Sequence, residues 1–404
     1  MRKTIPVPTD IPEKNTKLAK EEFDVELITP MYGGGAKTGQ NDLDFPIRPT
    51  SIRGLLRFWW RATRGAQFET SNALFDREKE IWGSTDTPSS TKVKVKLISQ
   101  AESCLVENYG FARYVLFSAA AKKHNLVKED LKFKFSVSYK GEFEKDVLCA
   151  AWAWVNFGGI GARTRRGCGA LYCKELAPEK PESFRDWFEQ KIKLYGLNLG
   201  ATREWPTLSW RILLGKAAKT HLDAWKNTII PMREFRQGDN IGRNPGSTHN
   251  RPGRSRWPEP DTLRNKFGHS PEHKPIIPTE GFPRAAFGLP IIFDFRGCSG
   301  EPPKSELRPQ NQNAKRMGSP VVLRPLRTQD GQNIPLAAFL KAPLPGGLEL
   351  KIGNRTTPAN HNIINPAFAE YYNSPMARSA NGSVLEAFVA YLKEDNNNFK
   401  EVGR

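Results

Sequence analysis

The chain has 404 residues, of which 61 are lysine or arginine and 43 are aspartate or glutamate, so its formal charge is +18. This excess indicates a polyanionic partner, and nucleic acid is the first candidate. The length predicts two domains, each with its own apolar core. No membrane span is expected, because the least polar stretch, residues 147–162, is too short and too rich in glycine to cross a bilayer.

The cysteines and histidines argue against a disulfide framework and against a metal site. The cysteines are odd in number and form no CxxC pair, and the dispersed histidines form no HExxH motif. We therefore expect reduced thiols, no metal ion and no cofactor. The first 17 residues lack the apolar segment and the cleavage site of a signal peptide, which favours a cytoplasmic protein. The cysteines are Cys104, Cys149, Cys168, Cys173 and Cys298.

The first half of the chain predicts six elements in the order strand, helix, strand, strand, helix, strand. Apolar residues alternate in the strand segments and recur with a helical period in the helix segments. Thr50 and Ser51 are expected to cap the first helix, and Gly65 is expected to end it. This order is typical of an α+β, ferredoxin-like (RRM-like) domain. The predicted elements are residues 23–29, 51–64, 92–98, 131–139, 145–156 and 170–173.

The two middle strands place lysines on one face and apolar side chains on the other. In residues 92–98, for example, Val93, Val95 and Leu97 oppose three lysines. The pattern predicts a sheet with one packed face and one basic, wet face. The alternative is that the lysines only discourage association between sheet edges.

The second half predicts a more diverged copy of the same domain. A linking helix at residues 182–195 follows Pro181, and helices are expected at 217–228 and 383–393. Four strands are expected at 208–216, 285–295, 319–326 and 348–352. The domains would be residues 1–180 and 181–404. Residues 231–283, rich in proline, glycine and arginine, predict a long irregular insertion whose role stays open.

The helix at residues 51–64 carries four arginines on one side, which we name the arginine column. With Arg53 set at zero and about 100° per residue, Arg64, Arg57 and Arg61 fall at roughly 20°, 40° and 80°. The apolar residues occupy a separate arc between roughly 200° and 340°. Like charges at this spacing repel, and guanidinium groups suit phosphate, so the column predicts a contact with RNA. The alternative is that acidic residues elsewhere in the fold pair with these arginines.

A second group of candidate binding residues lies in residues 157–171 (FGGIGARTRRGCGAL), which we name the glycine loop. Five glycines let the backbone approach a ligand, and three arginines bring positive charge to the same place. The loop lacks the GK[ST] of a Walker motif, and it leads from a helix to a strand, the reverse of a dinucleotide fingerprint. It predicts phosphate binding, and the alternative is that the glycines only build a tight turn.

Four segments, in order, resemble the RAMP superfamily of CRISPR systems: LITPMYGGGA, FPIRPTSIRGLLRFWWRATRG, IWGS and GGIGARTRRGCGAL. More narrowly, they resemble the first subunit of the type III-B Cmr RNA-targeting effector complex. The match is specific in residues 23–171 and weaker beyond.

The resemblance implies two RRM-like domains whose glycine-rich loop and basic helix face guide RNA (crRNA) and target RNA in antiviral defence. It also implies a place toward the 3′ end of the guide, next to other RAMP subunits, with target cleavage carried by a different subunit. The residues that we expect to contact RNA are Lys37, Arg48, Arg53, Arg57, Arg61, Arg64, Gly158, Gly159, Gly161, Arg163, Arg165, Arg166, Gly167 and Gly169.

Two other functions remain open. Some RAMP proteins process guide RNA as metal-independent endoribonucleases, and His221 and Tyr32 would be the candidates for that chemistry. Asp42 and Asp44 offer a base or magnesium ligands, but a pairing with Arg48 is the simpler interpretation. A protein-only adaptor that places its basic face on acidic neighbours is the third class. We expect no catalytic residue, because no acid/base set is clustered in the sequence.

Overall fold

The computed structural model describes residues 18–35, 40–248, 253–268, 273–276, 281–295, 300–310, 315–359 and 373–402. Lys37, Cys298 and the first 17 residues lie outside the described residues, as does part of the expected insertion.

The first half folds around one antiparallel sheet with the strand order β2-β5-β1-β6. Strand β5 alternates buried and partly exposed residues, and its apolar face packs with α1 and α4 in one core. All six predicted elements are present within a few residues of the predicted bounds. The elements are β1 (Ala19–Leu27), α1 (Pro49–Ala62), α2 (Ser71–Trp82), β2 (Lys92–Leu97), β3 (Ser103–Cys104), α3 (Phe117–Lys122), β4 (Leu126–Val127), β5 (Lys132–Tyr139), α4 (Glu144–Phe157) and β6 (Leu171–Tyr172).

The predicted ends of α1 are wrong. The helix begins at Pro49 after Arg48, and no side chain caps it. Proline is favoured at the first helical position, because its fixed φ suits a helix and its missing N–H would have no partner there. The helix ends at Ala62, so Gly65 lies inside the following 3₁₀ turn.

The second half forms another antiparallel sheet, in the order β10-β11-β7-β14, covered by α6 and α8. Strand β11 was not predicted, because nearly all of its residues are buried and its sequence therefore shows no alternation. The predicted end of α6 is also wrong, since the helix continues through Pro231. The elements are α5 (Phe184–Tyr195), β7 (Thr207–Leu214), α6 (His221–Gln237), β10 (Val321–Arg327), β11 (Asn333–Lys341), α8 (Val384–Lys393) and β14 (Lys400–Glu401).

A third sheet, in the order β13-β12-β9-β8, was not expected. Its apolar residues share a small core with Leu263 of α7. Three predictions are corrected here. Residues 348–352 do form a strand, but it belongs to this third sheet, and only a short part of residues 285–295 is a strand. The insertion is not irregular throughout, because it contains α7. The elements are α7 (Pro258–Phe267), β8 (Ile291–Phe293), β9 (Ser305–Pro309), β12 (Leu348–Ile352) and β13 (Arg355–Ala359).

One face of the second sheet joins the core of the first half, where Leu208, Ile212, Val322 and Leu326 pack. Among the described helices, none combines the length and the apolar character needed to cross a bilayer.

Candidate nucleic-acid interface

The glycine loop is held against the segment that follows β1 by hydrogen bonds. The backbone N–H of Ala162 donates to the carbonyl of Tyr32 at 2.7 Å, and that of Gly169 donates to Pro30 at 3.0 Å. The buried hydroxyl of Thr29 donates to the carbonyl of Gly167 at 2.6 Å. These bonds satisfy polar groups that would otherwise be buried without partners, so the loop has one defined path.

Most glycines of the loop are required by internal packing. Gly158, Gly159, Gly167 and Gly169 are buried, and only Gly161 is exposed. A Cβ on Gly158 would collide with the indole nitrogen of Trp59, and one on Gly167 would lie 2.6 Å from the ring of Trp225. Gly161 and Gly167 also have positive φ, +83° and +78°, which favours glycine. Contact between these five glycines and RNA stays a prediction, and Gly161 is the most accessible of the five.

The three arginines of the loop point to three different places. Arg163 is exposed, and its guanidinium lies 4.7 Å from the centre of the Phe117 ring. Arg165 stacks on Phe58 of α1 at 4.7 Å, and burial lowers the pKa of Arg165 to about 10. Arg166 donates to the carbonyl of Val321 at 2.9 Å in the second half of the chain. Of the three, Arg163 is therefore the most exposed to solvent.

Arg324, which the sequence did not single out, anchors the glycine loop from the second sheet. Its side chain is fully buried and donates to the carbonyls of Val155, Gly158 and Leu171 at 2.6, 2.8 and 2.6 Å. These carbonyls lie at the C-terminal end of α4 and in β6, where a positive charge suits the helix dipole. Burial lowers the pKa of Arg324 to about 9.

The arginine column on α1 is largely paired with carboxylates. Arg57 and Arg61 both bind Glu78 of α2, each with an N–O distance of 2.6 Å. Glu78 is only 3% exposed, whereas the two arginine side chains are 27% and 39% exposed. The open alternative of acidic partners is confirmed for these two arginines. Two guanidinium groups on one carboxylate still leave a net positive charge at the surface.

The arginines at the two ends of the column, Arg53 and Arg64, have different partners. Arg64 pairs with buried Asp146 at 3.2 Å and donates to the carbonyl of Tyr195 at 2.7 Å. Arg53 donates to the carbonyl of Trp82, and burial, together with the charge of Arg57, lowers the pKa of Arg53. The Nε of Arg53 is buried without a hydrogen-bond partner among the described residues. Arg64 thus ties α1 to α4, and Arg53 ties α1 to the end of α2.

Two cavities flank the exposed side of α1. The first, named the loop groove, has a volume of about 400 Å³ and contains Arg48. The second, named the arginine groove, has a volume of about 440 Å³ and lies between α1 and α2. Gly54 lines both of them. The loop groove is lined by Met31, Gly34, Pro46, Arg48, Ser51, Gly54, Leu55, Ile160, Gly161 and Ala162. The arginine groove is lined by Thr50, Arg53, Gly54, Arg57, Phe75, Gly83, Ser84 and Thr85.

The carboxylate of Asp42 holds the loop that precedes α1 in place. Asp42 accepts from the backbone N–H of Phe45 at 3.0 Å and pairs with Arg48 at 3.4 Å, which confirms the simpler interpretation. These bonds lower the pKa of Asp42. Among the described residues, no three histidine, cysteine, aspartate or glutamate side chains are grouped so that they could hold a metal ion.

The two candidates for nuclease chemistry have different neighbours. The hydroxyl of Tyr32 lies 3.3 Å from Nδ1 of His124, whereas Nε2 of His221 lies 4.0 Å from Asp130. His124, Phe75 and Phe117 were not singled out from the sequence, because a dispersed histidine or phenylalanine carries no pattern of its own. Gly54 did carry a signal, since a glycine inside a helical pattern is unfavourable.

Comparisons with known proteins find similarity to the RAMP superfamily and to Cmr subunits of CRISPR systems. Residues 24–172 match the family model of the RAMP superfamily. The CRISPR system Cmr subunit Cmr1-2 of Pyrococcus furiosus is 30% identical over 181 residues, which are 38% of this chain and 95% of that protein. Subunit Cmr1-1 of the same organism is 28% identical over 161 residues, 37% of this chain and 46% of that protein.

The fold is similar to the crystal structure of Cmr1 from Pyrococcus furiosus in its apo form. The two share 18% sequence identity with a TM-score of 0.50, over 81% of this chain and 89% of that one. At this identity the likeness concerns the fold alone. The segment matched by the family model contains every residue that lines the two grooves flanking α1.

Proposed function

Because this chain belongs to the RAMP superfamily, within the family of first subunits of the CRISPR Cmr system, we propose that it is a non-catalytic RNA-binding subunit of a type III-B effector complex. It contacts guide RNA near the 3′ end of the guide, target RNA, or both, in antiviral defence. Its other partners are the neighbouring RAMP subunits, and it acts in the cytoplasm. It needs no cofactor or metal.

The observation that carries this proposal is the meeting of two arginine-lined grooves on one exposed helix face. Arg48 lines the loop groove, and Arg53 and Arg57 line the arginine groove. Grooves that combine positive charge with an exposed aromatic ring are typical of single-stranded RNA binding, because phosphates pair with the cations and bases stack on the ring. Phe75, which is 51% exposed, supplies such a ring. The formal charge of +18 supports the same kind of partner.

The expected contact residues divide into two groups by burial. We assign direct RNA contact to Arg48, Arg53, Arg57, Arg61, Gly161 and Arg163, which line a groove or remain at least partly exposed. We assign to the others the shaping of the site, because they are buried or their side chains are engaged inside the protein by hydrogen bonds, ion pairs or ring stacking. This second group is Arg64, Gly158, Gly159, Arg165, Arg166, Gly167 and Gly169. Lys37 lies outside the described residues.

We propose further that the chain is built from two tandem ferredoxin-like domains with a boundary near residue 180. Both principal sheets follow the same chain path, since the first and third strands lie at the centre and the second and fourth at the edges. In each half the first strand is followed by a helix, α1 or α6, and another helix, α4 or α8, lies between the third and fourth strands of the sheet. The third sheet and α7 are additions to the second domain.

The proposal is tested by the binding of labelled single-stranded RNA to the purified chain at two salt concentrations, with and without a chelator. We expect affinity to fall steeply with salt, by a log–log slope of about 0.7 for each phosphate neutralised. Arg163→Ala should weaken binding to all sequences and flatten this slope by roughly one phosphate contact. Arg185→Ala, which removes an exposed arginine of α5, is the matched control.

Three results would contradict the proposal. Affinity that does not depend on salt would remove the polyanion contact. Equal losses in Arg163→Ala and Arg185→Ala would remove the glycine loop from the interface. RNA fragments that appear regardless of the chelator would favour the metal-independent nuclease, and Tyr32→Phe would then identify the active site if it stopped cleavage.

A further inference from the structure

Gly54 occupies a position where glycine is costly and where the protein itself does not need it. It lies inside α1, where glycine destabilises a helix by about 1 kcal/mol relative to alanine. A Cβ built on Gly54 meets no heavy atom within 4 Å, and its φ is not in the left-handed region. By contrast, a Cβ on Gly158 or Gly167 would collide with a tryptophan side chain. Packing among the described residues therefore gives no reason for a glycine at position 54.

The surroundings of Gly54 indicate what lies over it. Thr50, Ser51 and Gly54 are exposed and form the outer side of α1. On one flank lies the loop groove with Arg48, and on the other lies the arginine groove with Arg53 and Arg57. With no side chain at Gly54, the helix is locally as narrow as its backbone, whose Cα atoms lie about 2.3 Å from the axis.

We infer that a single strand of RNA crosses α1 directly over Gly54 and passes from the loop groove to the arginine groove. This inference rests on the proposed RNA-binding function and adds the path of the strand and the residue that permits it. The sugar-phosphate backbone lies on the bare helix at Gly54, with cations on both sides. The ring of Phe75 and the side chains of Arg53 and Arg57, which line the arginine groove, receive the strand there.

An acidic protein segment is the less favoured occupant. A peptide would be attracted by the same arginines, but an exposed phenylalanine beside a guanidinium group offers the stacking surface that a base requires. The residues at the crossing point, Thr50, Ser51 and Gly54, carry no charge. The arginines lie in the grooves on either side. This arrangement suits a chain that carries a regular charge along its whole backbone.

The test is a graded series at this position, Gly54→Ala and Gly54→Leu, in the full chain. Both residues favour a helix more than glycine does, so both variants should resist denaturant at least as well as the parent chain. RNA affinity should nevertheless fall, several-fold for Gly54→Ala and about tenfold or more for Gly54→Leu, because the side chain lifts the strand away from its contacts. The probe is a labelled single-stranded RNA at low salt.

Gly141→Ala is the matched control, since Gly141 is exposed, has no neighbour within 4 Å of an added Cβ, and lies at the opposite end of α4 from the glycine loop. This control should leave RNA affinity unchanged. If the parent chain binds RNA and Arg163→Ala weakens binding, but Gly54→Leu binds as tightly as the parent, the crossing is wrong while the proposed function stands. A parent chain without salt-dependent RNA binding would overturn both. Unchanged RNA affinity together with lost binding of a neighbouring subunit would assign the face to a protein.

Discussion

Arg61 and Glu78 form a bidentate ion pair, in which Nε and Nη2 of Arg61 donate to the two carboxylate oxygens at 2.6 Å each. Arg57 donates to the same carboxylate, so one buried acid of α2 neutralises part of the arginine column on α1. The carboxylate thus fixes the guanidinium groups, while part of each arginine side chain remains accessible to solvent.

Glu78→Gln should destabilise the protein by about 3 kcal/mol, because it removes the charge that compensates two partly buried guanidinium groups. The measurement is the free energy of unfolding in denaturant at pH 7. Glu80→Gln is the control on the same helix, since Glu80 is exposed and pairs with Arg77. An exposed pair contributes less than about 1 kcal/mol. Equal losses in the two variants would show that the buried ion pair does not hold α1 to α2.

The same carboxylate should make stability depend on pH. Burial alone would raise the pKa of Glu78, but the hydrogen bonds and charges of Arg61 and Arg57 outweigh burial and hold its pKa below the usual 4.5. The contribution is therefore complete above about pH 4.5 and is lost as the pH falls through the lower folded-state value. Unfolding free energies between pH 7 and pH 3 should converge for the parent chain and Glu78→Gln. A constant difference between the two would contradict the lowered pKa.

Arg324→Met should destabilise the protein by about 3 kcal/mol or more, because three buried carbonyls lose their donors. Arg327→Met on the same strand is the control, since Arg327 is partly exposed and pairs with Glu26 at 3.0 Å. Its loss should be much smaller, roughly 1 kcal/mol. Limited proteolysis should also cut the glycine loop of Arg324→Met faster than that of the control. Protection equal to that of the parent chain would argue against Arg324 as the anchor of the loop.

Phe75→Ala should weaken RNA binding by roughly 1 kcal/mol or more through the loss of base stacking, without changing the salt slope. Arg163→Ala, in contrast, should change the slope. The measurement is RNA affinity at a series of salt concentrations. Leu194→Ala removes a comparably exposed apolar side chain from α5 and should have no effect. If Phe75→Ala matches that control, no base stacks in the arginine groove.

Six elements of the first half were predictable because their signals are local, whereas α2, which carries Phe75 and Glu78, was not predicted. Alternation in β2 and β5 and the helical period of α1 and α4 follow from which side chains must face one core. The second half was harder to predict. Strand β11 is buried on both faces and shows no alternation, and Pro231 looks like a helix end although α6 continues through it.

The sequence by itself determined the charge, the arginine column on α1, the glycine loop and the family, because composition and spacing are properties of the chain alone. Only the tertiary structure decided which arginines are available. Glu78, Asp146 and the carbonyls around Arg166 and Arg324 come from segments far away in the chain, and no periodicity indicates such partners. Burial and ion pairing depend on distances in space, so the division between arginines that are engaged inside the protein and those that remain exposed appears only in the folded protein.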